Sequence, residues 1–271
     1  MTATVPALRR TGWAPVAAGA SVGLLGGMIG LGGAELRLPL LIGLFGFAAL
    51  SAVVLNKALS LVVVATALPA RLGAVPFGDL VDRADVVLTL LSGSLLGAWV
   101  GAAWASRLRT ATLHRVLGAL LVLLAVVLVA EHLGGTDPLG LDGAARTAVG
   151  VVAGFGIGVV AAVMGVAGGE LLIPTTTVLY GVDVALAGSV SLAVSLPTVV
   201  VALARYRRDG STAVLHDERR FLLLMAAGSV GGTLVGGLLL GVLATALVVP
   251  LLVVLLLLSA LQVWRHAPRG T

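Results

Sequence analysis

Polar residues in this chain separate long apolar blocks instead of alternating with them. The blocks fall at about 14–31, 34–47, 49–73, 84–106 and 112–132, then at about 147–166, 169–181, 184–206, 219–242 and 245–264. Most are long enough, at 1.5 Å per helical residue, to cross a hydrocarbon layer about 30 Å thick. The second block of each set is short and covers only about 20 Å. Glycines end the block before it, and Pro39 or Pro174 lies within its first turns. The pattern predicts helices throughout, with one broken or re-entrant segment in each set.

The two sets are copies. "GLGGAELRLP" (30–39) aligns without a gap on "GVAGGELLIP" (165–174), so Glu35 falls on Glu170 and Pro39 on Pro174, both at an offset of 135. The same offset pairs Gly19 with Gly154, Gly46 with Gly181, Gly93-Ser94 with Gly228-Ser229 and Gly101 with Gly236. A register held that long divides the chain into repeat 1 (14–133) and repeat 2 (147–265), joined by a polar linker at 134–146. Residues 1–271 are expected to form one transmembrane domain.

Composition fixes the environment. The chain is 59% hydrophobic and 11% charged, with a mean hydropathy of +1.14, whereas soluble domains carry roughly 25% charged residues. The net charge of +5 does not point to nucleic acid, because the arginines gather at block ends, as the positive-inside rule produces. With no cysteine, disulfides and thiolate metal sites are excluded. Arg9 and Arg10 before the first block imitate a signal peptide, but no small-residue cleavage site follows, so the block is read as the first membrane segment.

The arginines also orient the halves. After the third block, repeat 1 has Arg71 and Arg83 diluted by Asp79, Asp82 and Asp85, where repeat 2 has Arg205, Arg207, Arg208, Arg219 and Arg220. After the fourth block the bias reverses: Arg107, Arg109 and Arg115 face an uncharged "GVLATALVV" (241–249). Equivalent loops then lie on opposite sides of the membrane. The expected fold is an all-α polytopic membrane protein of two inverted-topology repeats, about five segments each. The broken segments meet near the midplane, both termini are cytoplasmic, and the membrane is the cell's inner (plasma) membrane. Such repeats, with short interrupted segments at matching positions, characterise secondary transporters. The later glycines, Gly93, Gly97, Gly101, Gly228, Gly232 and Gly236, read as close helix packing.

The stretches "GLLGGMIGLGGAELRLP" (23–39) and "GIGVVAAVMGVAGGELLIP" (156–174) resemble the TauE/SafE sulfite exporter family. "GSLLGAWVGAAWASRLR" (93–109) and "GSVGGTLVGGLLLG" (228–241) fit it too, so the resemblance spans nearly the whole chain. It implies a permease for anions such as sulfite, small organosulfur compounds or carboxylates.

Glu35, Arg37, Lys57 and Glu170 lie deep in apolar blocks, and their formal charges cancel. An ionisable group at membrane depth costs a few kcal/mol or more, so its default reading is a functional site. The plainer reading is ion pairing that fixes helices, with Glu35 and Lys57 the obvious pair. For Arg37, pairing, snorkelling and a direct role all stay open; for the glutamates, their matched positions favour function.

Asn56 and Ser60 share one helix face, as do their repeat partners Ser191 and Ser195. They either bond a carbonyl one turn back or line a shared cavity. Arg37 and Lys57 align with Leu172 and Leu192, so positive charge comes from the first half alone. Anion binding is therefore assigned to Lys57 and Arg37, with Asn56, Ser60, Ser191, Ser195 and the helix-start amides around Gly32, Gly33, Gly168 and Gly169. Glu35 and Glu170 are the candidates for a coupling proton, since a carboxyl in a low-dielectric cavity can exchange one near neutral pH.

The leading function is a proton-coupled secondary transporter for a small anion. The alternative takes the symmetric glutamates as ligands of a transported cation, in a transporter or channel. An enzyme is not expected, because neither cysteine nor histidine lies at membrane depth: His114, His132, His216 and His266 sit at block ends or in loops. No metal or cofactor is expected. Trp13, Trp104, Trp264, Tyr180 and Tyr206 read as an interfacial belt, Trp99 as packing, and Arg205, Arg207 and Arg208 as topology determinants. Oligomeric state is not written in the sequence.

Overall fold

The computed structural model describes residues 10, 12–29, 33–72, 77–133, 139–238 and 245–266. Every regular element among them is a helix: α1 (Trp13–Ile29), α2 (Ala34–Gly43), α3 (Ala49–Leu72), α4 (Phe77–Asp82), α5 (Ala84–Arg107) and α6 (Thr110–Leu133) in the first half. The second half has α7 (Gly143–Met164), α8 (Gly169–Tyr180), α9 (Val184–Arg208), α10 (Ala213–Asp217), α11 (Arg219–Leu238) and α12 (Thr245–Arg265). In a hydrocarbon environment helices are the economical choice, because each segment satisfies its own main-chain groups. α2 and α8, α3 and α9, α5 and α11, and α6 and α12 each start 135 residues apart. The short α4 and α10 occupy polar connections where the apolar pattern announces nothing.

Among the described residues, six helices are long and apolar enough to cross a membrane: Ala49–Ala67, Ala84–Arg107, Thr110–Ala130, Gly143–Met164, Val184–Arg208 and Arg219–Leu238. Two shorter apolar helices, Trp13–Met28 and Pro250–Arg265, join them. Large apolar side chains such as Leu88, Leu96, Val152 and Leu258 point outward, as a lipid solvent permits.

The halves interlock instead of standing side by side. α1 packs along α11, and α5 along α7. Gly19, Gly23 and Gly27 of α1 abut the α11 main chain at Met225, Ser229 and Thr233, while Gly93, Gly97 and Gly101 of α5 abut Val151, Phe155 and Val159 of α7. The contacts climb both helices together, so each pair is parallel, and the small residues let the backbones close up. α6 and α12 pair elsewhere, where the Trp264 indole N–H donates to the Arg115 carbonyl at 3.2 Å.

The short segments double back. Gly168 lies beside Ile157 and Ala161 of α7, and Tyr180, at the far end of α8, reaches Gly150 near the start of α7. α7 and α8 therefore form a helical hairpin. α1 and α2 form its copy, with Gly33 beside Val22 and Gly26.

Three side chains depart from their sequence reading. Tyr206 is fully buried and not in a belt, because its hydroxyl finds an acceptor inside, the Ala162 carbonyl at 3.0 Å. His114 is buried, its Nδ1 2.8 Å from the Thr110 carbonyl oxygen. Trp99 is exposed on the outer surface, where two arginines lie over its ring.

Candidate functional site

The site is built from the two helix breaks. Gly33 (φ 67°) and Gly168 (φ 96°) sit in the left-handed region immediately before α2 and the first turn of α8, a conformation that glycine adopts without steric cost. The turns match: Leu36 and Arg37 N–H donate to the Gly33 carbonyl at 3.2 and 3.3 Å, and Leu171 and Leu172 N–H to the Gly168 carbonyl at 3.2 and 3.0 Å. Two residues after each glycine come Glu35 and Glu170, both buried in a first helical turn, where the helix dipole favours negative charge.

The two carboxyl groups lie near enough for each to feel the charge of the other. The Arg37 guanidinium lies within the field of both, and the Lys57 ammonium within that of Glu170. Arg37 and Lys57 are wholly buried. Arg37 therefore does not snorkel to an interface.

α3 turns a polar face to this centre. Asn56 Nδ2 donates to the Ala34 carbonyl at 2.9 Å and the Met164 carbonyl at 3.4 Å. Lys57 Nζ donates to the carbonyls of Ala161 at 2.9 Å and Val166 at 2.6 Å. Ser60 donates to the Gly165 carbonyl at 3.3 Å. One side chain of the first half thus touches both breaks, and two more hold the end of α7, where carbonyls run out of helical partners. Lys57 is engaged by main-chain carbonyls and lies in the field of Glu170, and among the described residues it forms no ion pair with Glu35, the partner the sequence suggests.

α9 contributes from the other side. The Ser191 hydroxyl lies against Gly169, and Ser195 is buried one turn on. Ser195 Oγ, Asn56 Oδ1, Glu35 Oε2 and both Glu170 carboxylate oxygens are buried without a hydrogen-bond partner among the described residues. Buried polar atoms are normally satisfied, so this concentration marks a place suited to protons or a polar ligand. Glu35, Arg37, Asn56, Lys57, Ser60, Glu170, Ser191, Gly33, Gly168 and Gly169 converge here, with Ser195 on the same α9 face; Gly32 lies outside the described residues.

Sequence reasoning passed over Tyr206, whose hydroxyl also holds the end of α7, and the buried bond of 2.8 Å between Ser94 of α5 and Thr198 of α9. Tyr206 stands next to Arg207 and Arg208, a context that imitates a membrane interface. The available clue was its phenol, which seeks a partner when buried. No group of three or more acidic or histidine side chains placed to hold a metal ion occurs among the described residues.

Multi-pass helical bundles of two equivalent halves, each with a helix broken near the centre, are characteristic of membrane transport proteins. The chain belongs to the TauE/SafE family: the family described as "Sulfite exporter TauE/SafE" matches residues 2–128 and again 140–271, once in each half. Comparison with curated proteins and with solved structures finds no match. The family comprises membrane transporters of the sulfite and anion exporter type, not enzymes.

Proposed function

We propose that the protein is a secondary transporter that moves a small anion, such as sulfite, an organosulfur compound or a carboxylate, by alternating access coupled to protons. The observation that carries this reading is the meeting of the two breaks, which brings Glu35 and Glu170 within reach of each other's charge and near Arg37 and Lys57. An ammonium has three donors, and Lys57 commits two to carbonyls. Its third, the Arg37 guanidinium, the Ser191 and Ser195 hydroxyls and the amides at the starts of α2 and α8 form the anion site. Asn56 and Ser60 hold the breaks in place around it. The two glutamates carry the coupling proton.

An inverted arrangement of the halves supports alternating access. The start of α3 (Ala48, Leu50, Ser51) shares a pocket with Ala213, Val214 and Asp217, which follow the end of α9. Tyr180, just before α9, lies beside Thr89 near the start of α5, both over Gly150, and the end of α3 leads to α5. Equivalent helices α3 and α9 therefore run in opposite senses. The ends of α5 and α9, both arginine-rich, fall on one side, which we assign to the cytoplasm of a plasma membrane, together with both termini.

The unpartnered oxygens of Glu35, Glu170 and Asn56 also suit a cation, a reading opposed by the two basic side chains among them. Purified protein in proteoliposomes, offered sulfite, sulfonates and carboxylates under an imposed pH gradient, tests the proposal. Uptake that follows the gradient in wild type and loses that dependence in Glu35→Gln and Glu170→Gln supports it. Thermal stabilisation by divalent cations and by no anion would overturn it.

A further inference from the structure

Outside the transport centre, the strongest unexplained arrangement lies on the outer surface between α5 and α9. The guanidinium of Arg205 sits 5.0 Å from the centre of the Trp99 ring, and that of Arg208 sits 5.9 Å from the same centre. Among the described residues one carboxylate pairs with them: Asp209, 3.2 Å from an Arg205 terminal nitrogen. Two cations on one indole gain from its ring face but repel each other, and one acid leaves the cluster with an excess positive charge. The Arg205 side chain is only 12% exposed, and its Nε–H is buried without an acceptor.

The surroundings identify the missing partner. Trp99 is 37% exposed, and Leu96 and Val100 on α5 and Val200 on α9 are exposed apolar neighbours on the same helices. Leu96 and Val200 lie about a turn before Trp99 and Arg205, away from the arginine-rich helix ends, and Val100 adjoins Trp99. An amphiphile with a negative head and an apolar tail fits that order: its phosphate meets the arginine forks, and its chain lies along the α5–α9 seam. The cluster is absent from the other half, where the repeat places Leu234 opposite Trp99 and Ala70 opposite Arg205. The symmetric transport machinery therefore does not account for it.

We propose that Arg205, Arg208 and Trp99 form a binding site for the phosphate of an anionic phospholipid in the adjoining leaflet. The site is independent of the transport reading and stands or falls separately from it. The test is native mass spectrometry of the full chain, released from nanodiscs of phosphatidylglycerol mixed with phosphatidylcholine. Wild type is expected to retain phosphatidylglycerol at least tenfold over phosphatidylcholine. Arg208→Gln, at an exposed position, and Arg205→Gln are each expected to lower that retention fivefold or more, while Arg109→Gln, at an exposed arginine elsewhere, leaves it unchanged. Equal loss in all three variants would overturn the proposal, since it would show only general attraction to basic residues. Displacement of the bound lipid by millimolar inorganic phosphate would also overturn it, in favour of a soluble-anion site. Should Arg205→Gln fail to fold, Arg208→Gln alone decides.

Discussion

The Lys57 ammonium of the first half lies 2.6 Å from the Val166 carbonyl oxygen of the second. It also holds the Ala161 carbonyl, so one side chain bridges the turn that ends α7. The second half returns nothing equivalent, because Leu192 occupies the matching position. The ammonium contact thus has no counterpart residue in the second half, and Lys57 is also the cation near Glu170.

Replacing Lys57 by methionine keeps the volume and removes the donors. Two carbonyls at the break lose their side-chain donor, and a buried unsatisfied polar group costs about 1–3 kcal/mol. The expected result is a clear fall in melting temperature in detergent together with loss of transport. Arginine at 57 restores donors but not the fit, so partial thermal recovery without transport is expected.

The close passage of α5 over α7 makes an internally controlled comparison. A methyl group on Gly97 would strike the main chain of Phe155, whereas one on Gly156, one residue further along the same α7, meets nothing. Gly97→Ala is therefore expected to destabilise by about 1–3 kcal/mol, the usual penalty of overpacking. Gly156→Ala should be neutral or stabilising by up to about 1 kcal/mol through helix propensity. Thermal unfolding of the two variants under identical conditions checks the difference.

Much of this was legible beforehand, for a physical reason. Helices in lipid must satisfy their main chain internally, so apolar block and helix coincide, and α3 and α9 begin at 49 and 184 where the pattern puts them. The repeat located both broken segments, since a duplicated glycine–glutamate–proline order is hard to produce by composition. What stayed hidden is direction and partnership. Nothing local says that α8 folds back along α7, or that α1 seeks α11 and not its own half. Lys57 was legible as a buried charge, but its carbonyl partners lie more than 100 residues away. Tyr206 was misread because its sequence neighbours are interfacial while its side chain is not.

Arg10 ties the entry of α1 to the loop after α2. It bonds Glu218 at 2.7 Å, the Phe45 and Gly46 carbonyls at 3.1 Å each, and lies 4.0 Å from the Phe47 ring centre. An exposed ion pair alone is worth little, but the carbonyl bonds and the ring add to it. Arg10→Ala is expected to cost about 1–2 kcal/mol, and Glu218→Gln less than half of that. A melting-temperature series of both variants and their double tests this ordering.

The closeness of the Glu35 and Glu170 carboxyls allows a sharper test of coupling than loss of activity. If Glu35 and Glu170 hold the coupling proton as one unit, removing either carboxylate already destroys the unit. Glu35→Gln and Glu170→Gln should then each reduce pH-gradient-driven uptake tenfold or more, and the double variant should fall no lower than the weaker single one within about twofold. Two independent proton carriers would instead give losses that multiply, as distant sites do. Initial uptake rates in proteoliposomes, at fixed gradient and matched protein density, separate the two outcomes. Exchange of anion across the same vesicles without a gradient supplies the control. It should survive in all three variants if, as proposed, the anion is held by Arg37 and Lys57 and not by the glutamates.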